Sequence, residues 1–238
     1  MKRHRYIRVL SVLLAAMAAL ILSAAAPEAK PKKPVNFSIA KVFFEYNSTP
    51  NDLGVHIFLD GEDWTELKIV NPKGRTIFEV AGKAPYKELG LTELSFEGAE
   101  PNLADVPLAE LLDRFPAGNY QLVGKMVDGK RIVGTATLTH AIPAGPTNVL
   151  AQINGNSLII SWALVTGPPA GFPNVPINIV GYQVIVGAFQ VTVPASITSV
   201  TVSPEFVESL ASGQQPFEVL AIEAGGNQTI TEGFFTKP

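Results

Sequence analysis

Between Pro143 and Pro238 the chain carries one lysine (Lys237), no arginine and five glutamates (Glu205, Glu208, Glu218, Glu223 and Glu232), while its apolar residues fall in short alternating runs cut by Pro, Gly and Asn. Alternation with a period of two turns one side of each run toward a core and the other toward solvent, as strands do when they stack in layers. A reaction chamber or a phosphate-binding surface needs clustered ionisable side chains. This third of the chain offers none, so it reads as a packed β-sandwich.

The N-terminus reads as an export signal. Lys2, Arg3, Arg5 and Arg8 give a positive start, Val9 to Ala26 is apolar, and Ala24-Ala25-Ala26 before Pro27 supplies the small residues of a cleavage site. Cleavage rather than retention as an anchor is expected, with a periplasmic or secreted product and no stable membrane insertion afterwards. Removing residues 1–26 takes four of the 18 basic residues and none of the 21 acidic ones, leaving a net charge of −7. An acidic exported chain without basic patches is a poor partner for nucleic acid. The sequence contains no cysteine, so its stability must come from cores rather than disulfides.

Residues 27–36 are rich in Pro and Lys and read as a disordered tether. Strand-like runs follow at 38–46, 55–60, 66–70 and 75–80, with turn chemistry at 49–52, at Asp60-Gly61 and at 71–74. Leu108, Leu111, Leu112 and Phe115 recur at helical spacing after Pro107, predicting one short helix that Pro116 ends. Asp128-Gly129 between 120–127 and 131–139 is a strong hairpin signal. Residues 37–141 therefore read as an immunoglobulin-like sandwich with one short helix. At 141–146 a Pro/Gly linker precedes a sharp fall in charge, from 25 ionised residues in 37–141 to six after it, which marks the start of a second domain at 142–238.

In that second half Pro143 and Pro146, the run 157–163 with Trp162, the run Tyr182–Val186, the run 198–202, and Leu210 ahead of Phe217 through Asn227 together resemble a fibronectin type III domain. At Phe217 the family usually carries a tyrosine whose hydroxyl bonds back to the preceding loop, so that corner bond is not expected here. The resemblance implies spacing and recognition rather than catalysis. Residues 165–178, with four prolines, cannot lie inside a sheet and read as a loop at one end of the sandwich. In the first half, Phe115 to Tyr120 with the hairpin and 137–140 resemble edge hairpins of bacterial immunoglobulin-like domains.

Candidate sites are few. His56 and His140 stand far apart with no cysteine, too little for zinc, and no Gly-x-Ser-x-Gly elbow is present. Asp52, Asp60, Glu62 and Asp63, with Glu45 on the strand before, offer oxygens from two loops that could gather around calcium, yet match no calcium loop. Glu93, Glu97 and Glu100 show no cleft for a glycosidase pair, and alternation puts Glu93 and Glu97 on one solvated edge away from Leu94 and Phe96. Trp64, beside Asp60 and Asp63, reads as a residue that folds back over the core after its turn, with an exposed stacking platform for a sugar as the alternative, whereas Trp162 reads as core. The Asn-x-Ser/Thr triplets at Asn36, Asn47 and Asn227 read as coincidental in a chain whose signal looks bacterial.

These features predict an all-β chain of two tandem sandwiches, not an enzyme, with no metal and no cofactor. Its expected work is binding or scaffolding of another protein through the fibronectin type III-like half, by the 165–178 loop and sheet edges. The alternative is carbohydrate binding, with or without calcium, by the first half around Trp64, Asp60 and Asp63.

Overall fold

The computed structural model describes residues 33–238. The expected signal peptide and residues 27–32 of the expected tether lie outside the described residues. The chain is all-β and sandwich-type, and no helix among the described residues is long and apolar enough to cross a membrane.

The first half contains β1 (Val35–Asn36), β2 (Ile39–Asn47), β3 (Asp52–Val70), β4 (Thr76–Ala81), α1 (Pro85–Leu89), β5 (Leu91–Glu97), α2 (Leu108–Arg114), β6 (Gly118–Met126) and β7 (Arg131–Leu138). Val35 and Asn36, assigned to the tether from sequence, already pair with Ile132 and Val133 of β7. The helix at 108–114 and the hairpin across Asp128-Gly129 form as their spacing predicts. Helix α1 was not expected: it buries none of its residues, so no apolar period marks it.

Strand β3 is 19 residues long and runs through the Asp60-Gly61 pair that reads as a turn in sequence. The register shifts between Asp60 and Trp64, so the pair is a bulge in a continuous strand. Its first stretch pairs with β2 and β5, and its second with β6 and β4. A strand that bends from one layer into the next builds both walls of a core. Glycine is required at the bend, because a Cβ on Gly61 would stand 2.8 Å from Phe37 Cδ1 and 2.9 Å from Ile132 Cδ1. Inward residues of both stretches, Val55 and Ile57 from the first and Leu67 and Ile69 from the second, join one buried cluster with Tyr120 and Leu122. The Tyr120 hydroxyl donates to the Pro116 carbonyl at 3.1 Å, four residues upstream, so a corner bond of the tyrosine-corner kind stands in the first half.

The second half contains β8 (Leu150–Asn154), β9 (Ser157–Ser161), β10 (Ile179–Val186), β11 (Phe189–Pro194), β12 (Ser199–Val202), α3 (Pro204–Ser209), β13 (Gly213–Glu223) and β14 (Gln228–Lys237). Three strands form one sheet in the order β12-β9-β8, and four lie in the order β14-β13-β10-β11. Leu158, Ile160 and Trp162 meet Tyr182, Val184, Val186 and Phe217 in a second buried cluster, as alternation predicts. The Phe217 ring lies over Gly233, where a Cβ would come within 2.5 Å of the ring. Gly233→Ala is therefore expected to cost about 2 kcal/mol through overpacking. Denaturant unfolding checks this, and an unchanged midpoint would mean that the ring can swing aside.

The two halves share a sheet. Strand β14 pairs in parallel with β2, Gln228 beside Glu45, Thr229 beside Tyr46 and Ile230 beside Asn47, so a single sheet of 11 strands crosses both cores. The segment 141–146 is a strap over this seam: Thr229 Oγ1 donates to the Pro143 carbonyl at 2.6 Å and Thr231 Oγ1 to the Pro146 carbonyl at 2.9 Å. Ile142, Pro143 and Pro146 are buried. The proline-rich loop after Val165 also folds inward, with Phe172 packed on Tyr46 at 4.8 Å between ring centroids.

Candidate functional site

On β2 and β3 the alternation that buries Val42, Phe44, Val55 and Ile57 turns Phe43, Glu45, Asp52 and His56 to the opposite face. The register sets Phe43 beside His56, Glu45 beside Gly54, and His56 beside Glu97 of β5. The imidazole stacks flat on Phe43, with ring centroids 5.2 Å apart and planes at 20°. After β5 the chain turns back over β3. The Gly98 amide donates to the Val55 carbonyl at 2.9 Å, Leu103 N donates to the Asn51 carbonyl at 2.9 Å, and Asn102 Nδ2 donates to the Pro50 carbonyl at 2.5 Å. That return lays Glu100 across Gly54, where a Cβ would stand 2.5 Å from Glu100 Cγ. A glycine inside a strand marks such a close approach.

Three donor atoms converge as a result. His56 Nε2 lies 3.6 Å from Glu45 Oε1 and 3.7 Å from Glu100 Oε1, and all three atoms fall within 4.8 Å of one another. Glu97 Oε1 stands 4.0 Å from the same nitrogen on a half-exposed side chain. The second oxygen of Glu45, Oε2, accepts a hydrogen bond from Gln228 Nε2 across the seam. His56 Nε2 and Glu100 Oε1 are buried and have no hydrogen-bond partner among the described residues.

More acid surrounds them. Burial, then Glu232, raises the Asp52 carboxyl above its ordinary range, and burial, then Glu232 and Glu45, does the same to Glu218. Burial, then the carboxylates of Glu97 and Glu45, push Glu100 up to about 8. Unfolded, Glu100 would release its proton near pH 4.5, whereas the folded chain holds it to about pH 8. The native state binds more protons through that window, so this group's contribution to stability falls as pH rises from about 4.5 to about 8. Glu100→Gln cannot ionise and is expected to be more stable than the parent at pH 9 by about 1–2 kcal/mol, with no difference at pH 4. That gain is set below the full pKa displacement because water reaches the rim of the side chain. Urea unfolding in chelating buffer at both pH values checks it, and equal differences at the two would show a carboxyl that ionises normally.

The binding alternatives raised from sequence are not what the structure places there. Trp64 is 0% exposed at the bend of β3, so its indole offers no face to a sugar and is no stacking platform. Asp60 accepts from Ser38 Oγ at 2.9 Å on its carbonyl and at 3.0 Å on Oδ2. The Asp63 carbonyl accepts from the Val127 amide at 3.0 Å. Asp52 and Asp60 sit at opposite ends of the straight part of β3, roughly 26 Å apart at strand rise, so the four turn carboxylates do not gather around an ion. Glu93 is exposed, as expected of a solvated edge. His140 is structural: its Nε2 donates to the Phe115 carbonyl at 3.0 Å and its ring packs edge-on against Phe44.

The grouping that sequence missed is Glu45, His56 and Glu100. Part of it was readable: a tight turn at 48–51 pairs Asn47 with Asp52, and counting back puts Glu45 diagonal to His56. Gly54 in mid-strand was the second signal. Glu100 was not readable, since the loop that carries it has no period.

No family model and no curated protein matches the chain. Among solved structures it is similar to the spore cortex lytic enzyme SleM of Clostridium perfringens, at 19% identity over 40% of this chain and 28% of that one, with a TM-score of 0.33. It is also similar to part of a 1.5-MDa bacterial ice-binding adhesin, at 16% identity over 86% of this chain and 65% of that one, TM-score 0.25. A third is a tetra-tandem repeat from the extending region of a large adhesion protein, at 12% identity over 84% and 50%, TM-score 0.26. The chain spans less than two thirds of the length of each of these structures.

Proposed function

We propose that this chain is a non-catalytic, exported binding and spacing unit that recognises another protein, with a fibronectin type III-like second half. The observation that carries this reading is the parallel pairing of β14 with β2, which makes one hydrogen-bonded sheet of two cores where tandem sandwiches could have been beads on a string. A continuous sheet holds a fixed distance and angle between its two ends. The strap at 141–146 reinforces it through Thr229 and Thr231. The three-plus-four division of strands in the second half supports the family resemblance, which implies contact rather than turnover.

For recognition, β11 offers a suitable feature. It pairs on one side with β10 and ends the large sheet, so its other edge presents backbone donors and acceptors to an incoming strand. The 165–178 loop contributes less than its sequence implies, because Phe172 is engaged by Tyr46. Leu164, at 59% exposed, remains free to contact a partner.

Two measurements test the reading. Pairs of spin labels, one on each core, are expected to give a single narrow distance distribution. A broad one would make the halves independent beads. Chemical crosslinking in the producing cells is expected to capture a defined protein that Thr192→Pro on β11 releases. Turnover of any substrate by the purified chain would overturn the non-catalytic assignment.

A further inference from the structure

We infer that Glu45, His56 and Glu100 form a binding site for a first-row transition dication of the zinc class, on the outward face of β2 and β3 beneath the return loop at 98–103. The donor set is mixed, one imidazole nitrogen and two carboxylate oxygens, each brought by a different segment. Three separate contacts aim it. Phe43 fixes the plane of the His56 ring, Gln228 occupies Oε2 of Glu45 and leaves Oε1 turned to the imidazole, and Gly54 lets Glu100 lie down on the sheet.

Independently of the clustering, His56 Nε2 and Glu100 Oε1 are buried atoms without a hydrogen-bond partner among the described residues. Buried polar atoms are nearly always satisfied. The imidazole nitrogen stands too far from either carboxylate oxygen to be satisfied by it, at 3.6 and 3.7 Å. Those separations suit an ion in the middle. Zinc bound at about 2.0–2.2 Å in a tetrahedral site sets its ligands roughly 3.3 Å apart, so the two His56–carboxylate separations need only close by a few tenths of an ångström, while the two carboxylate oxygens, within 4.8 Å of each other, close by side-chain rotation.

Chemistry selects the ion. Calcium takes six to eight oxygens, and magnesium keeps most of its water in an octahedron, so neither fits a site centred on an imidazole. Imidazole with carboxylate suits zinc and its first-row neighbours. Three protein donors leave a fourth position open, and Glu97, 4.0 Å from His56 Nε2 at the exposed rim, can rotate into it or yield it to water. The competing account is that His56 is only a polar neighbour of its carboxylates, with no metal.

The full exported protein, stripped with chelator and titrated with zinc by calorimetry at pH 7.5, is expected to bind one ion with a dissociation constant in the micromolar range or below. His56→Gln and Glu100→Gln should each weaken that binding at least tenfold, whereas His140→Gln should leave it unchanged. Calcium should bind at least a hundredfold more weakly. Cobalt(II) added to the unaltered protein should give visible d–d bands of a four- or five-coordinate site, bleached by one equivalent of zinc, which keeps the test independent of how the variants fold. No zinc binding, binding insensitive to His56→Gln, or equal affinity for calcium would each overturn the assignment, and the first would leave His56 as a polar neighbour of its carboxylates.

Discussion

Trp64→Ala is expected to cost about 4 kcal/mol, near the upper end of what losing one large core side chain costs. The indole is 0% exposed at the bend of β3, where it lies opposite Leu91 of β5 and Met126 of β6. Three strands thus converge on one side chain at the point where the sheet turns around the first core. Alanine would leave a void that two layers of backbone cannot close. Trp64 Nε1 is buried without a hydrogen-bond partner among the described residues. Trp64→Phe should therefore cost only about 1–2 kcal/mol, because the lost volume is partly offset by removing an unsatisfied N–H. Trp162 remains as the fluorescence reporter for denaturant curves, and the alanine variant's thermal midpoint should fall by roughly 8–16 °C. A loss below about 1 kcal/mol would mean that the indole is not enclosed, and would reopen its use as a sugar platform.

How far the fold could be read in advance depended on the range of the interaction. Period-two runs and turn residues act over a few positions, so the strands around Leu158, Tyr182 and Phe217, the 108–114 helix and the Asp128-Gly129 hairpin were all legible. The bend of β3 was misread because Asp60-Gly61 has turn chemistry whether it ends a strand or bulges one. What decided the matter was Phe37 and Ile132 closing on Gly61 from distant parts of the chain. The seam was invisible for a similar reason. Residues 45–47 and 228–230 are paired in space and far apart in sequence, and parallel pairing leaves no local turn to announce it. The site inherits both limits: Glu45 and His56 follow from hairpin register, whereas Glu100 depends on a loop whose course is set by its hydrogen bonds to β3 and the 48–51 turn.

Asn227→Ala is expected to cost about 3–4 kcal/mol and to divide one unfolding transition into two. Asn227 is 1% exposed in the turn before β14, and its side chain reaches into the first half. Oδ1 accepts from the Phe44 amide at 2.8 Å, while Nδ2 donates to the Thr139 carbonyl and hydroxyl at 3.0 Å each and to the Ala141 carbonyl at 3.1 Å. Alanine would strand a buried amide of β2 and the carbonyls of Thr139 and Ala141, each carrying a desolvation cost of about 1–3 kcal/mol that entering water recovers in part. Burial and these bonds also leave the amide no room for a sugar at the Asn227 triplet. Asn227→Asp separates the two sets of bonds. It keeps an acceptor for Phe44 but turns a negative charge toward three oxygens, so it should be worse than alanine at neutral pH and improve as the pH falls and the carboxyl gains a proton to donate. Because Asn227 alone carries four of the hydrogen bonds that join the halves beside the short β14–β2 ladder, weakening it should let the second core melt at its own temperature while the first stays folded. Differential scanning calorimetry with Trp162 fluorescence as the second-half probe would show the split. A single transition with coincident probes in Asn227→Ala would mean that the ladder and the strap couple the cores without it.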